Sequence, residues 1–131
     1  MHLLDTSICV AILRGTSDRI RPRFRAAMSS GVAISSISAG ELYYGLARSA
    51  RPERNRVDLD NLLGSVSVLP FEARAAEAFG LVRNYLETRR KTIGPFDLLI
   101  AAHAIAENAV LVTNNTREFS RVPMLEIDDW L

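Results

Sequence analysis

An α/β fold with helices on both sides of a central, mainly parallel sheet of four to five strands is what this sequence predicts, on three observations. Short apolar runs alternate along the chain with longer helical stretches. Those runs are apolar at successive positions rather than at every second one, as in strands covered on both faces. Gly, Pro and Asn stand at the junctions between them. Strands of that kind, joined by helices through right-handed crossovers, build a three-layer α/β/α sandwich.

The first strand is "HLLD", followed by a helix over Thr6 to Arg14 that Gly15 stops. A second helix, Asp18 to Ser29, ends before Gly31, and "VAISS" (Val32 to Ser36) is the second strand. Helices over Ser38 to Ser49 and Glu53 to Gly64 lead to the strand "VSVL" (Val66 to Leu69), which Pro70 terminates. A long helix runs from Glu72 to Lys91, and another from Pro95, well suited to a first helical turn, to Asn108. "AVLVT" (Ala109 to Thr113) is the fourth strand, the polar run "TNNTREF" leaves it, and "MLEI" after Pro123 supplies a last short one. At 131 residues and 48% hydrophobic content the chain is expected to form one domain, 1–131, with a real core.

Composition narrows the function classes. Cys9 is the only cysteine, which removes disulfides and CxxC metal knuckles and suits a reducing cytoplasm. No basic residue precedes the short N-terminal apolar run, so it does not read as a signal peptide. The most apolar stretch, "FDLLIAAHAIAENAVLV", holds Asp97, His103, Glu107 and Asn108, which argues against a membrane segment. Charge is lopsided: residues 1–91 carry 14 Lys/Arg against 9 Asp/Glu, residues 92–131 carry 2 against 6. Arginine clusters at Arg19 to Arg25, Arg48 to Arg56 and Arg89 to Lys91 fit a phosphate-bearing nucleic-acid ligand, although charge alone favours a set of solvated helix faces. No Gly-rich phosphate loop occurs, His2 and His103 have no partner at metal-ligand spacing, and Cys9 between Ile8 and Val10 reads as a buried, inert thiol. Leu42, Tyr43, Tyr44 and Leu46 form an apolar band wider than one core-facing stripe, which is either plain core or a subunit contact.

In a parallel sheet, function collects at the carboxyl ends of the strands. Asp5 ends the first strand, while Glu41 in "SAGELYYGLA" and Asp97 in "GPFDLLIAAHAIA" sit in the early part of helices among apolar or small neighbours. Taken singly, structural roles weigh more: Asp5 as a helix N-cap, Asp97 as a partner of a helix dipole. Together, three acids that can reach one end of the sheet, with no Lys or Arg beside Asp5 or Asp97 in sequence, repel one another unless a cation lies among them. Oxygen-only ligands select hard ions such as Mg²⁺ or Mn²⁺.

"LLDTS", "SAGELYYG", "IGPFDLLIAAHA" and "LVTNNTREFSRVPMLEIDDW", in that order, resemble the PIN-domain ribonucleases, specifically the VapC toxins of bacterial toxin–antitoxin modules. The resemblance implies a three-layer PIN-like domain and a Mg²⁺-dependent endoribonuclease whose catalytic acids fall on Asp5, Glu41 and Asp97, with Asp5 and Asp97 as metal ligands. It implies a metal-activated water as nucleophile, a 5′-phosphate and a 3′-hydroxyl as products, and a structured RNA, most often a tRNA, as substrate. It also implies a homodimer, and a VapB-type antitoxin whose extended tail covers an apolar groove in a toxin–antitoxin hetero-oligomer. Thr6 and Thr113 match small hydroxyl positions of the family and support the acids, although ordinary capping explains them as well. The sequence departs from the family at the fourth acid: Asn114 and Asn115 occupy that region, so that either Asn115 keeps a water-mediated contact or Glu118 reaches in. The rivals are a PIN-like nuclease for another RNA or DNA, a non-catalytic α/β binding module, and a receiver-like phosphoacceptor. The last needs an Asp after its third strand, where this chain has "LPFE".

Overall fold

Period-two alternation along three very short strands decides which side of the sheet each helix covers. A computed structural model describes residues 1–131. The elements are β1 (His2–Leu4), α1 (Thr6–Arg14), α2 (Ile20–Ala27) with a 3₁₀ turn at Met28–Ser30, β2 (Val32–Ser35), α3 (Ser36–Ala47), α4 (Pro52–Ser65), β3 (Ser67–Leu69), α5 (Ala73–Thr88), α6 (Pro95–Ala106), β4 (Val110–Val112), α7 (Thr116–Phe119) and β5 (Ile127–Asp128). All five strands are parallel, in the order β3-β2-β1-β4-β5.

Leu4 pairs with Ile34 on one side and Val112 on the other, and all three point into the core formed with α1, α2, α3 and α4. One residue back, Leu3, Ala33 and Leu111 point the opposite way, into a second core built from α5, α6 and Phe119 of α7. Leu3 and Leu4 of β1 are thus fully buried, each on its own face, at about 1.5–3 kcal/mol per leucine. Three residues per strand suffice because two layers cover them.

Strand order reverses at β1. The chain runs outward through β2 and β3, then returns to add β4 and β5 on the far side. The crevice of such a sheet opens at the carboxyl ends of the two strands flanking the reversal. Those ends are Asp5 and Thr113, and the Asp5 amide donates to the Val112 carbonyl at 3.0 Å.

Three expectations change. The last strand is Ile127–Asp128 rather than "MLEI", because Met124 takes a positive φ of 63° and projects into solvent before pairing starts. β3 lies at the sheet edge with Val68 exposed, so it is not covered on both faces. The polar run after β4 contains a helical turn, α7, whose single anchor is the buried Phe119. Helix ends otherwise differ from the expected ones by a few residues. No helix is long and apolar enough to cross a membrane.

Gly15 caps α1 at φ 62°, with its amide on the Ala11 and Ile12 carbonyls. A Cβ there would meet nothing within 4 Å, so the only cost of a side chain is the left-handed backbone. Gly15→Ala is expected to destabilise the fold by about 1 kcal/mol. Urea unfolding measures this, and a neutral result would show that the turn does not constrain α1.

Candidate active site

Each acid is placed by a different local rule. Asp5 follows β1 directly and caps α1: its Oδ1 accepts from the Ile8 amide at 2.9 Å and from the Ser7 hydroxyl at 2.7 Å. Its Oδ2 accepts from Thr113 Oγ1, and that hydroxyl in turn accepts from the Asn115 amide at 2.9 Å. The N-cap role and the site role therefore fall on one carboxylate. Asp5 is 3% exposed, and burial pushes its pKa up, with the bonds from Thr113, Ile8 and Ser7 pulling it back.

Glu41 lies on α3, where Thr6 Oγ1 donates to its Oε1 at 2.6 Å. Thr6 Oγ1 is also 3.1 Å from Ser38 Oγ. A hydroxyl has one proton, so with Thr6 donating to Glu41 the second bond runs from Ser38 to Thr6. Ser38 is fully buried one helical turn before Glu41, and it completes a chain from α3 to α1 and back.

Asp97 stands in the first turn of α6, next to Gly94 and the exposed Phe96. Its carboxyl is pushed up to about 6, first by burial, then by the negative charges of Asp5, Glu118 and Glu41, and last by a proton shared with Glu118. Acids from three other segments of the chain thus act on Asp97. Glu118 belongs to α7 and is held at Oε2 by Asn115 Nδ2 at 3.1 Å. Asn115 therefore serves the site as the partner of Glu118. None of the four is paired with a Lys or Arg: the ion pairs of the molecule are Arg23–Asp128, Arg56–Asp60, Arg74–Glu107, Arg83–Glu87 and His103–Glu107.

The donor set is carboxylate oxygen with neutral hydroxyls and amides behind it, which fits a hard divalent cation and does not fit zinc or copper. As the side chains lie, no three of the Asp, Glu, His and Cys groups close round a common point in ligand geometry. Asp5, Glu41 and Glu118 are each held by a hydrogen-bond donor of their own, and the charges of all three reach Asp97. That arrangement can concentrate cations and bring acidic ligands to an ion from several sides.

Two residues of the site were not anticipated. Ser38 is one, with its spacing of three before Glu41 as the only trace in the sequence. Ser7 is the other: it joins Asp5 to Asn114, whose side-chain oxygen position lies 2.9 Å from Ser7 Oγ. Since Ser7 gives its proton to Asp5, the Asn114 amide faces it with its NH₂.

A groove of about 240 Å³ between α1, α3 and α4 is continuous with the site, sharing Thr6 and Glu41 with it and lined further by Val10, Leu13, Leu46 and Arg14. Of the arginine clusters, Arg19 and Arg23 are bound to the Leu131 and Asp129 carbonyls, and Arg89 stacks on Tyr85 at 3.5 Å. Arg14, outside every cluster, is the one that lines the groove. Leu42 is buried, while Tyr43 and Tyr44 are exposed, so the apolar band of α3 divides between core and surface. Cys9 is buried and inert, with burial and then the Asp5 charge pushing its thiol far up.

Residues 2–125 match the PIN domain family. The chain is 41% identical over 131 residues to ribonuclease VapC2 of Rickettsia felis, with 99% of this chain and 98% of that one covered. It is 38% identical over 128 residues to the tRNA(fMet)-specific endonuclease VapC of Shigella flexneri, covering 98% and 96%. Among solved structures it resembles VapBC2 of Rickettsia felis bound to a fragment of promoter DNA, with a TM-score of 0.95, 40% identity, and 99% and 98% coverage. DNA-bound VapBC of Salmonella typhimurium is similar at a TM-score of 0.94, 38% identity, and 99% and 98% coverage.

Proposed function

This chain belongs to the PIN-domain family as a VapC-type ribonuclease, and from that premise we propose that it is the toxin of a VapB–VapC pair, cleaving structured RNA with a bound divalent cation. The observation that carries the metal reading is the setting of Asp97: burial first, and then the charges of three other carboxylates, raise it to about 6, and no Lys or Arg pairs with any of the four. Such a field is costly for the protein alone and is relieved by a cation.

Asp5 and Asp97 are the metal ligands, with Mg²⁺ as the ion and Mn²⁺ as a substitute. Glu41, held by Thr6, completes the shell or takes a proton from the attacking water. Glu118, turned by Asn115 toward Asp97, takes the place of the fourth acid. Thr113 and Ser7 donate to Asp5 and so favour its charged form against the burial that disfavours it. When bound, the cation supplies acidity to a water and neutralises charge on the phosphoryl oxygens. The protein needs no side-chain nucleophile, and Cys9 is too buried to be one.

A tRNA is the first substrate to test, since two of the relatives are named tRNA(fMet)-specific endonucleases. The VapB-type antitoxin fits the groove between α1, α3 and α4: its apolar wall suits an extended segment, and Glu41 at its edge suits a basic side chain. Exposed Tyr43 and Tyr44 suit a homodimer contact. The cytoplasm, where the RNA and a reduced Cys9 coexist, is the compartment this reading requires.

The test is incubation of the purified protein with total tRNA and with single-stranded DNA, in Mg²⁺, in Mn²⁺ and in EDTA. Discrete tRNA fragments in either ion and none in EDTA are expected. Cleavage that persists in EDTA overturns the metal reading, and cleavage of DNA alone overturns the substrate.

A further inference from the structure

The helix that carries Asp97 is held in place by almost nothing directional. α6 packs through Leu98, Ile100, Ala101, Ala102 and Ala104, all buried, and three of the five are alanines, so few bulky side chains interlock to resist sliding along its axis. Apart from the proton that Asp97 shares with Glu118 within the site, one side-chain hydrogen bond joins it to another element. His103 Nδ1, fully buried, lies 2.8 Å from Ser35 Oγ at the end of β2.

Ser35 is also the N-cap of α3, and its Oγ accepts from the Ile37 amide at 3.1 Å. The hydroxyl proton is then free to go to His103, whose Nδ1 accepts it. The imidazole is therefore the tautomer protonated at Nε2. Burial, which outweighs the opposing charge of Glu107, holds this histidine below its ordinary pKa, so it is neutral and able to accept. Nε2 itself has no hydrogen-bond partner, and the Glu107 carboxylate is 3.9 Å away. Phe71 closes the pocket edge-on at 5.4 Å. An unpartnered buried N–H is something a leucine would avoid, so stability alone does not account for a histidine here.

One hydroxyl thus touches both helices that bear site carboxylates: it begins α3, with Glu41 six residues on, and it grips α6, with Asp97 six residues back. We propose that His103 is a positioning residue which, through Ser35, fixes α6 along its axis and so sets where Asp97 stands relative to Asp5 and Glu41. The inference rests on the metal reading of the site and adds a residue that touches neither ion nor RNA.

Two substitutions separate this role from packing. His103→Leu keeps the bulk, loses the acceptor, and removes the unpartnered N–H. His103→Asn keeps an acceptor near the Nδ1 position and leaves a cavity. Melting temperature without metal and Mn²⁺ affinity by titration calorimetry are measured on both, beside the parent and Asp97→Asn. His103→Leu is expected to melt at or above the parent and to bind Mn²⁺ about tenfold more weakly. His103→Asn is expected to melt lower while keeping Mn²⁺ affinity within about threefold. Parent-like Mn²⁺ binding by the leucine variant, or affinities that follow the melting temperatures, overturn the inference and leave the site standing. A parent that binds no Mn²⁺, or that is matched by Asp97→Asn, overturns the metal reading and the inference with it.

Discussion

An Asp5→Asn variant is expected to fold as the parent does and to cleave RNA at least about a thousandfold more slowly. The two halves of this expectation come from the two roles of one side chain. As N-cap, asparagine is as good as aspartate, and its carbonyl can accept from Ile8 and Ser7 as Oδ1 does now. Its amide cannot reproduce the second acceptor, so Thr113 has to turn, at a cost of about 1 kcal/mol, which removing a buried charge offsets. In the ligand role proposed for Asp5, the amide would lack the charge that holds a cation against a phosphate. Loss of about 4 kcal/mol of transition-state stabilisation corresponds to about three powers of ten in rate. Circular dichroism and melting check the fold, and single-turnover cleavage of tRNA in saturating Mg²⁺ checks the rate. A variant that melts far below the parent would make the lost rate uninformative about metal, and one that cleaves normally would take Asp5 out of the chemistry.

How much of this could be read beforehand differs from residue to residue. Asp5 and Asp97 stood out only in combination, as acids able to reach one end of the sheet with no Lys or Arg beside them in sequence, since each alone has an ordinary role at a helix start. The parallel sheet was legible for the same reason its strands can be so short: Leu3 and Leu4 are both apolar, so both faces had to be covered. Ser7 and Ser38 were not, because a hydroxyl is cheap anywhere on a helix and only its partner gives it a role. The fourth acid was left open between Asn115 and Glu118, since three residues on a four-residue helix can point either way until Phe119 anchors it. With Phe119 buried, Glu118 turns toward Asp97 and Asn115 becomes its support. The arginine clusters fitted either a phosphate-bearing ligand or solvated helix faces, because charge counts do not say where a side chain ends. Arg19 and Arg23 are spent on the C-terminal carbonyls.

Asp97→Asn carries the second large effect, and its sign is opposite for stability and for activity. The folded-state pKa of Asp97, about 6, lies above its ordinary value of 3.8. Between those two values the folded protein binds more protons than the unfolded chain, so the stability of the parent falls as pH rises from about 4 to about 6. Above that window the whole cost is present, and below it none is. A two-unit shift is worth about 3 kcal/mol at face value, and solvent screening at a half-buried group brings it to about 1–2 kcal/mol. A carboxylate in the first turn of a helix also gains from the dipole, by about 0.3–1 kcal/mol, and asparagine forfeits that. Because the carboxyl is pushed up rather than down, repulsion and burial win over the dipole. Without metal, Asp97→Asn is therefore expected to melt several degrees above the parent at pH 7.5 and level with it near pH 3.5. Millimolar Mg²⁺ raises the parent toward the variant and moves the variant little, while the variant loses cleavage. A variant that melts below the parent at pH 7.5 would mean that Asp97 serves its helix, and that the field of the three other carboxylates is too weak to call a cation.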